Sequence, residues 1–65
     1  MPELPGLRRA RESKLLTQRE LAAQSGIAQT TIARLESQQR PAQLSTVRKL
    51  AAALGVEPSD LMGEG

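Results

Sequence analysis

The stretch Thr17–Glu36, TQRELAAQSGIAQTTIARLE, admits few structures. Thr17-Gln18-Arg19-Glu20 is a capping box: the Thr17 hydroxyl can accept from the Glu20 amide while the Glu20 carboxylate reaches back to the Thr17 amide, so a helix starts here. Leu16 before the cap and Leu21 after the first turn are placed as a hydrophobic staple, and Leu21 with Ala22 faces the core. Gly26 suits the left-handed conformation that ends helices, so this helix stops at Ser25-Gly26. Ile27 anchors the turn and Ala28–Glu36 reads as the next helix, with Ile32 and Leu35 on one face and Gln29, Thr30, Ala33 and Arg34 on the other. Thr30-Thr31 are weak helix formers, so packing must carry this segment. The rest of the chain serves to hold this helix pair.

On the N-terminal side, residues 1–4 read as a flexible arm, with a first helix over about 5–14 in which Leu7, Ala10 and then Leu15-Leu16 supply apolar contacts. On the C-terminal side, SQQRPAQ (37–43) is a polar, proline-containing loop. A fourth helix follows from about 43–45 to 54, with Leu44, Val47, Leu50, Ala51 and Leu54 at helical spacing and Gly55 as its stop. Glu57–Met62 reads as a short fifth helix with Pro58 at its first position and Leu61 turned inward, and residues 63–65 as a flexible tail. The expected fold class is therefore all-α: one compact domain of five helices over residues 5–62.

With 65 residues, the chain can bury only about 60% of its unfolded surface, so the core is thin. Phe, Tyr and Trp are absent, leaving Leu, Ile, Val, Ala and Met to build it. Cys and His are absent too, which excludes disulfides, thiolate chemistry and a structural zinc, and no cofactor is expected. Without His, Cys, Tyr or a Gly-rich phosphate cradle, the chain does not read as an enzyme. No apolar run is long enough for a signal peptide or membrane span, so the expected compartment is the cytoplasm. Charge is uneven: residues 1–50 carry all nine Lys/Arg against four acids, a balance of +5, whereas residues 51–65 carry three acids and no base. Seven of the nine bases are Arg, whose planar fork suits phosphate and guanine edges.

The run LRRARESKLLTQRELAAQSGIAQTTIARLE, followed by VRKLAAALGV, resembles the Cro/C1-type (XRE-like) helix-turn-helix family of phage and bacterial regulators. The resemblance rests on Arg11, Thr17-Gln18, Leu21-Ala22, Gly26, Ile27, Ile32, Leu35-Glu36, Leu50-Ala51 and Leu54-Gly55-Val56, in order and at this spacing. It implies that the second and third helices form the helix-turn-helix, with the third lying in a DNA major groove. Gln18 matches a residue that bonds a phosphate and braces the first recognition side chain. Arg11 and Glu36 match an ion pair near the DNA backbone. Ala28, Gln29, Thr30, Ala33 and Arg34 match the base-reading positions. The chemistry suits them: Gln can pair bidentately with adenine, Arg with guanine, and Thr or Ala can touch a thymine methyl. Arg11, Lys14, Thr17, Gln18, Thr31, Ser37, Gln39 and Arg40 are candidates for the DNA backbone, with Arg48 and Lys49 behind them. Two departures stand out: Ala28 replaces the family's frequent Ser or Thr cap, and Gln38 stands where a Gly is common.

The expected partner is double-stranded DNA, bound by a repressor that reads a two-fold operator as a homodimer through the region around Val56 to Met62. The alternative is a protein-interaction module, an antitoxin or adaptor of the same fold, supported by the acidic end and the apolar Leu61-Met62.

Overall fold

The computed structural model describes residues 3–37 and 40–62. They form five helices: α1 (Leu7–Ser13), α2 (Gln18–Ser25), α3 (Gln29–Glu36), α4 (Leu44–Leu54) and α5 (Pro58–Met62). Among the described residues there is no strand. The expected loose ends at Met1 and 63–65, the departure at Gln38 and the backbone candidate Gln39 all lie outside them.

The local signals act as their chemistry requires. Thr17 accepts from the Glu20 amide at 3.0 Å, and the Thr17 amide donates to Glu20 Oε1 at 2.8 Å, closing the capping box. Gly26, at φ +75°, ends α2 with its amide on the Ala22 carbonyl. The Ser25 hydroxyl accepts from the Ile27 amide at 3.1 Å, bracing the turn into α3.

Helix α4 is the central support. Its stripe of Val47, Leu50, Ala51 and Leu54 is buried and joins Leu21 from α2, Ile32 and Leu35 from α3, Leu7 from α1 and Leu61 from α5 in one core. Helix α2 packs on both α3 and α4, while α5 packs on α4 and α1. Leu16 sits partly buried against the same core, as the staple requires.

Four expectations are corrected. Leu4, expected in a flexible arm, is instead fully buried as a member of the core cluster, and its carbonyl accepts the Leu7 amide. Leu15 was counted as an apolar contact but is 90% exposed at φ +60°. It occupies the left-handed position of a Schellman closure, in which its amide bonds the Glu12 carbonyl and the Leu16 amide bonds that of Arg11, and this turns its side chain outward. A left-handed non-glycine residue costs about 1–2 kcal/mol. Leu44 was placed on the buried stripe of α4 but is 56% exposed. It is the first residue of that helix, and side chains lean toward the helix start, past the edge of the core. Ala42, in the loop expected to be polar, takes the buried place instead. Finally, α1 is shorter than the expected 5–14, since Gly6 precedes its first residue and the closure begins at Lys14.

Candidate nucleic-acid interface

Glu36, the last residue of α3, ties three helices together. Arg11 of α1 donates through Nε to Glu36 Oε2 and through Nη2 to Oε1, the latter at 3.0 Å. Gln18, the first residue of α2, donates from Nε2 to Glu36 Oε1 at 3.0 Å. Arg11 also bonds the Leu16 carbonyl through Nη1 at 2.7 Å, fastening the α1–α2 turn to the same knot. The Arg11 and Glu36 side chains retain only 11% and 5% of their exposure. A bidentate, charge-assisted pair with its further bonds satisfied is the condition under which such burial is tolerated.

The electrostatics follow from this geometry. The hydrogen bond to Glu36, strengthened by the charges of Glu36 and Glu12 and opposed by burial, raises Arg11 above its ordinary value. Burial pushes the Glu36 carboxyl up, but hydrogen bonds from Arg11 and Gln18 and the charges of Arg11 and Arg8 outweigh it and leave Glu36 lowered. An anion at a helix C-terminus opposes the macrodipole, so Glu36 depends on the Arg11 guanidinium to sit there.

A carboxylate can only accept, so Glu36 fixes the Gln18 amide with its nitrogen inward and its oxygen turned away. The bond from Gln18 to Glu36 was not foreseen from the residues. They lie 18 positions apart and only the fold brings them together. The Arg11–Glu36 pairing is present as the resemblance implied.

On α3, the buried face carries Ile32 and Leu35, while Ala28, Gln29, Thr30 and Arg34 are exposed and Ala33 is half-buried. The five base-reading candidates thus share the outward side of one helix. No side chain caps α3: Ala28 stands at the N-cap, and the free amides of the first turn open outward beside Gln29 and Thr30. Such a helix start favours an anion beside it.

The backbone candidates divide. Lys14 and Arg40 are exposed, whereas Thr17 is engaged in the capping box and the Ser37 hydroxyl donates to the Arg34 carbonyl at 2.9 Å. Arg11 is held in the Glu36 knot rather than offered to solvent. Thr31 and Arg40 border an open cleft with Gln43 and Thr46 between α3 and the start of α4. At about 110 Å³ it is well below the ~300–1,000 Å³ typical of small-molecule pockets, so it is a notch in the surface rather than an effector cavity.

Two comparisons with known proteins accord with this arrangement. A family model described as Helix-turn-helix (HTH_3) matches residues 7–61. The crystal structure of the restriction-modification controller protein C.AhdI from Aeromonas hydrophila is similar to this chain, at 38% identity and a TM-score of 0.83, over 88% of this chain and 86% of that one. A search of curated proteins yields no match. No helix among the described residues is long and apolar enough to cross a membrane. The chain belongs to the helix-turn-helix family of DNA-binding transcriptional regulators.

Proposed function

We propose that this regulator is a repressor that reads the major groove of a two-fold operator as a homodimer, with half-sites about one helical turn apart. The observation that carries the reading is the outward face of α3, where Gln29, Thr30 and Arg34 are exposed while Glu36 at the helix end is locked to α1 and α2. Gln29 and Thr30 read bases first, Arg34 lies a turn further on, and Ala28 and Ala33 keep the approach close. Lys14, Thr17, Gln18, Thr31, Ser37, Gln39 and Arg40 are assigned to phosphate and sugar, with Arg11 acting through Glu36. Val56 and Met62, both half-buried, border the surface assigned to the homodimer.

The likeness to a restriction-modification controller protein extends over most of both chains, which supports a controller of that type. Of the two apolar residues on which an adaptor role would rest, Leu61 is fully buried in the core and only Met62 is partly exposed, which weakens the support for that reading.

Selection of bound DNA from a randomised pool is the test. Enrichment of an inverted repeat supports the reading, and recovery of no preferred sequence overturns it. On the selected operator, Gln29→Ala is expected to cost about 1–3 kcal/mol of discrimination, while Arg40→Ala lowers affinity alike on operator and random DNA. Equal losses on both DNAs for Gln29→Ala would remove it from the base-reading set.

A further inference from the structure

Helix α5 is five residues long, too short to hold its shape by its own hydrogen bonds. It is tied at both ends. At its start, Asp60 Oδ2 accepts from the Glu57 amide at 3.0 Å. At its other end, the Leu61 carbonyl accepts from the Gly6 amide at 2.9 Å. Gly6 lies just before α1, between the buried Leu4 and Leu7. Its φ of −91° is open to any residue, so conformation does not demand glycine here. Space does. A Cβ at Gly6 would overlap the Asp60 carbonyl oxygen and stand 3.2 Å from that of Leu61 and 3.4 Å from the Leu61 Cα. These are all backbone atoms of α5, so no side-chain rotation relieves the overlap, and α1 and α5 would have to move apart.

The helix-turn-helix meets α1 elsewhere: α3 packs on α1 and is bonded to it through Arg11, whereas the atoms that a Cβ at Gly6 would meet all belong to α5. We propose that Gly6 is a positioning residue for self-association: it lets the start of α1 seat α5, and so sets the surface from Val56 to Met62. The inference rests on the reading of that surface as the homodimer contact. It makes recognition of one half-site and pairing of two half-sites separable properties, with Gly6 bearing on the second more than on the first, because its close contacts are with α5 and the tie from α1 to α3 lies further along, at Arg11.

The test compares wild type and Gly6→Ala in three measurements: circular dichroism for folding, affinity for DNA carrying a single half-site, and self-association by sedimentation together with affinity for the full operator. The expected result is a folded variant with half-site affinity within about twofold of wild type and self-association weakened about tenfold or more, a change of ~1.4 kcal/mol or more. Equal losses on half-site and full operator overturn the inference, because a purely structural defect lowers both. Unaltered self-association of a folded Gly6→Ala overturns it as well. A wild-type protein that neither self-associates nor occupies both half-sites together overturns the dimer reading itself, and that failure is visible before any variant is compared. Should Gly6→Ala not fold, Asp60→Ala loosens α5 from its other end without adding an atom: selective loss of self-association supports the seating of α5, and its full retention overturns it.

Discussion

Helices α2 and α3 are each eight residues long, yet they are held by different means. Helix α2 is closed at both ends by its own residues, the Thr17–Glu20 box at the start and left-handed Gly26 at the finish. Helix α3 begins at an uncapped Ala28 and ends at Ser37 in an ordinary right-handed conformation. What holds α3 is tertiary: Ile32 and Leu35 in the core, and Glu36 fastened to Arg11 and Gln18. The difference teaches that α2 is specified locally and α3 from a distance. Gln29, Thr30 and Arg34, the side chains proposed to read bases, lie on the opposite, exposed face, so the hold on α3 does not run through them.

The sharpest way to break this contrast is Glu36→Ala. It strands the Arg11 guanidinium in a site with little solvent and is expected to cost about 3–5 kcal/mol, a large part of the ~5–15 kcal/mol that a small domain possesses. Thermal denaturation checks it; an unchanged midpoint would show that α3 does not depend on the knot. Acid probes the same bond more gently. Glu36 binds its proton more weakly when folded than when unfolded, so its contribution is complete above the ordinary value of 4.5 and is lost as pH falls through the lowered one. Denaturant midpoints followed down the acid range should therefore fall more steeply for wild type than for Glu36→Gln, and identical slopes would remove Glu36 from the titration. Next in size is Thr17→Ala, expected to cost about 1 kcal/mol through the lost cap, with α3 unaffected beyond the general loss. The smallest effect is a gain: Ala28→Ser supplies the missing cap and should add about 0.5–1 kcal/mol, seen as slower amide exchange in the first turn of α3. No gain there would mean that the first turn is already held by other contacts.

The features legible in the residues are those whose partners lie within a turn or two. The capping box, the Gly26 stop, the Val47–Leu54 stripe and the Pro58 start are all of this kind, and they place α2, α4 and α5. Leu15 and Leu44 misled because periodicity reports which residues can share a face, not where the body beneath that face ends. Leu4 and Ala42 were missed for the converse reason: they lie outside regular helix, so no period marks them, and only the assembled core gives them a place. In the candidate site, the outward set on α3 follows from helical spacing alone. The Arg11–Glu36 pair was available only through resemblance, spanning 25 positions, and the Gln18–Glu36 bond was not available at all.

The burial of Arg11 has a consequence for how DNA binding responds to salt. Each phosphate neutralised by a mobile cation releases condensed counterions and contributes about −0.9 to the slope of log affinity against log salt. A guanidinium already compensated by Glu36 carries little net charge toward the backbone, so Arg11 should add little to that slope despite standing at a family contact position. If the proposed contacts are made, the ions released on binding count exposed cations such as Lys14, Arg34 and Arg40 and pass over the arginine that fastens the end of α3.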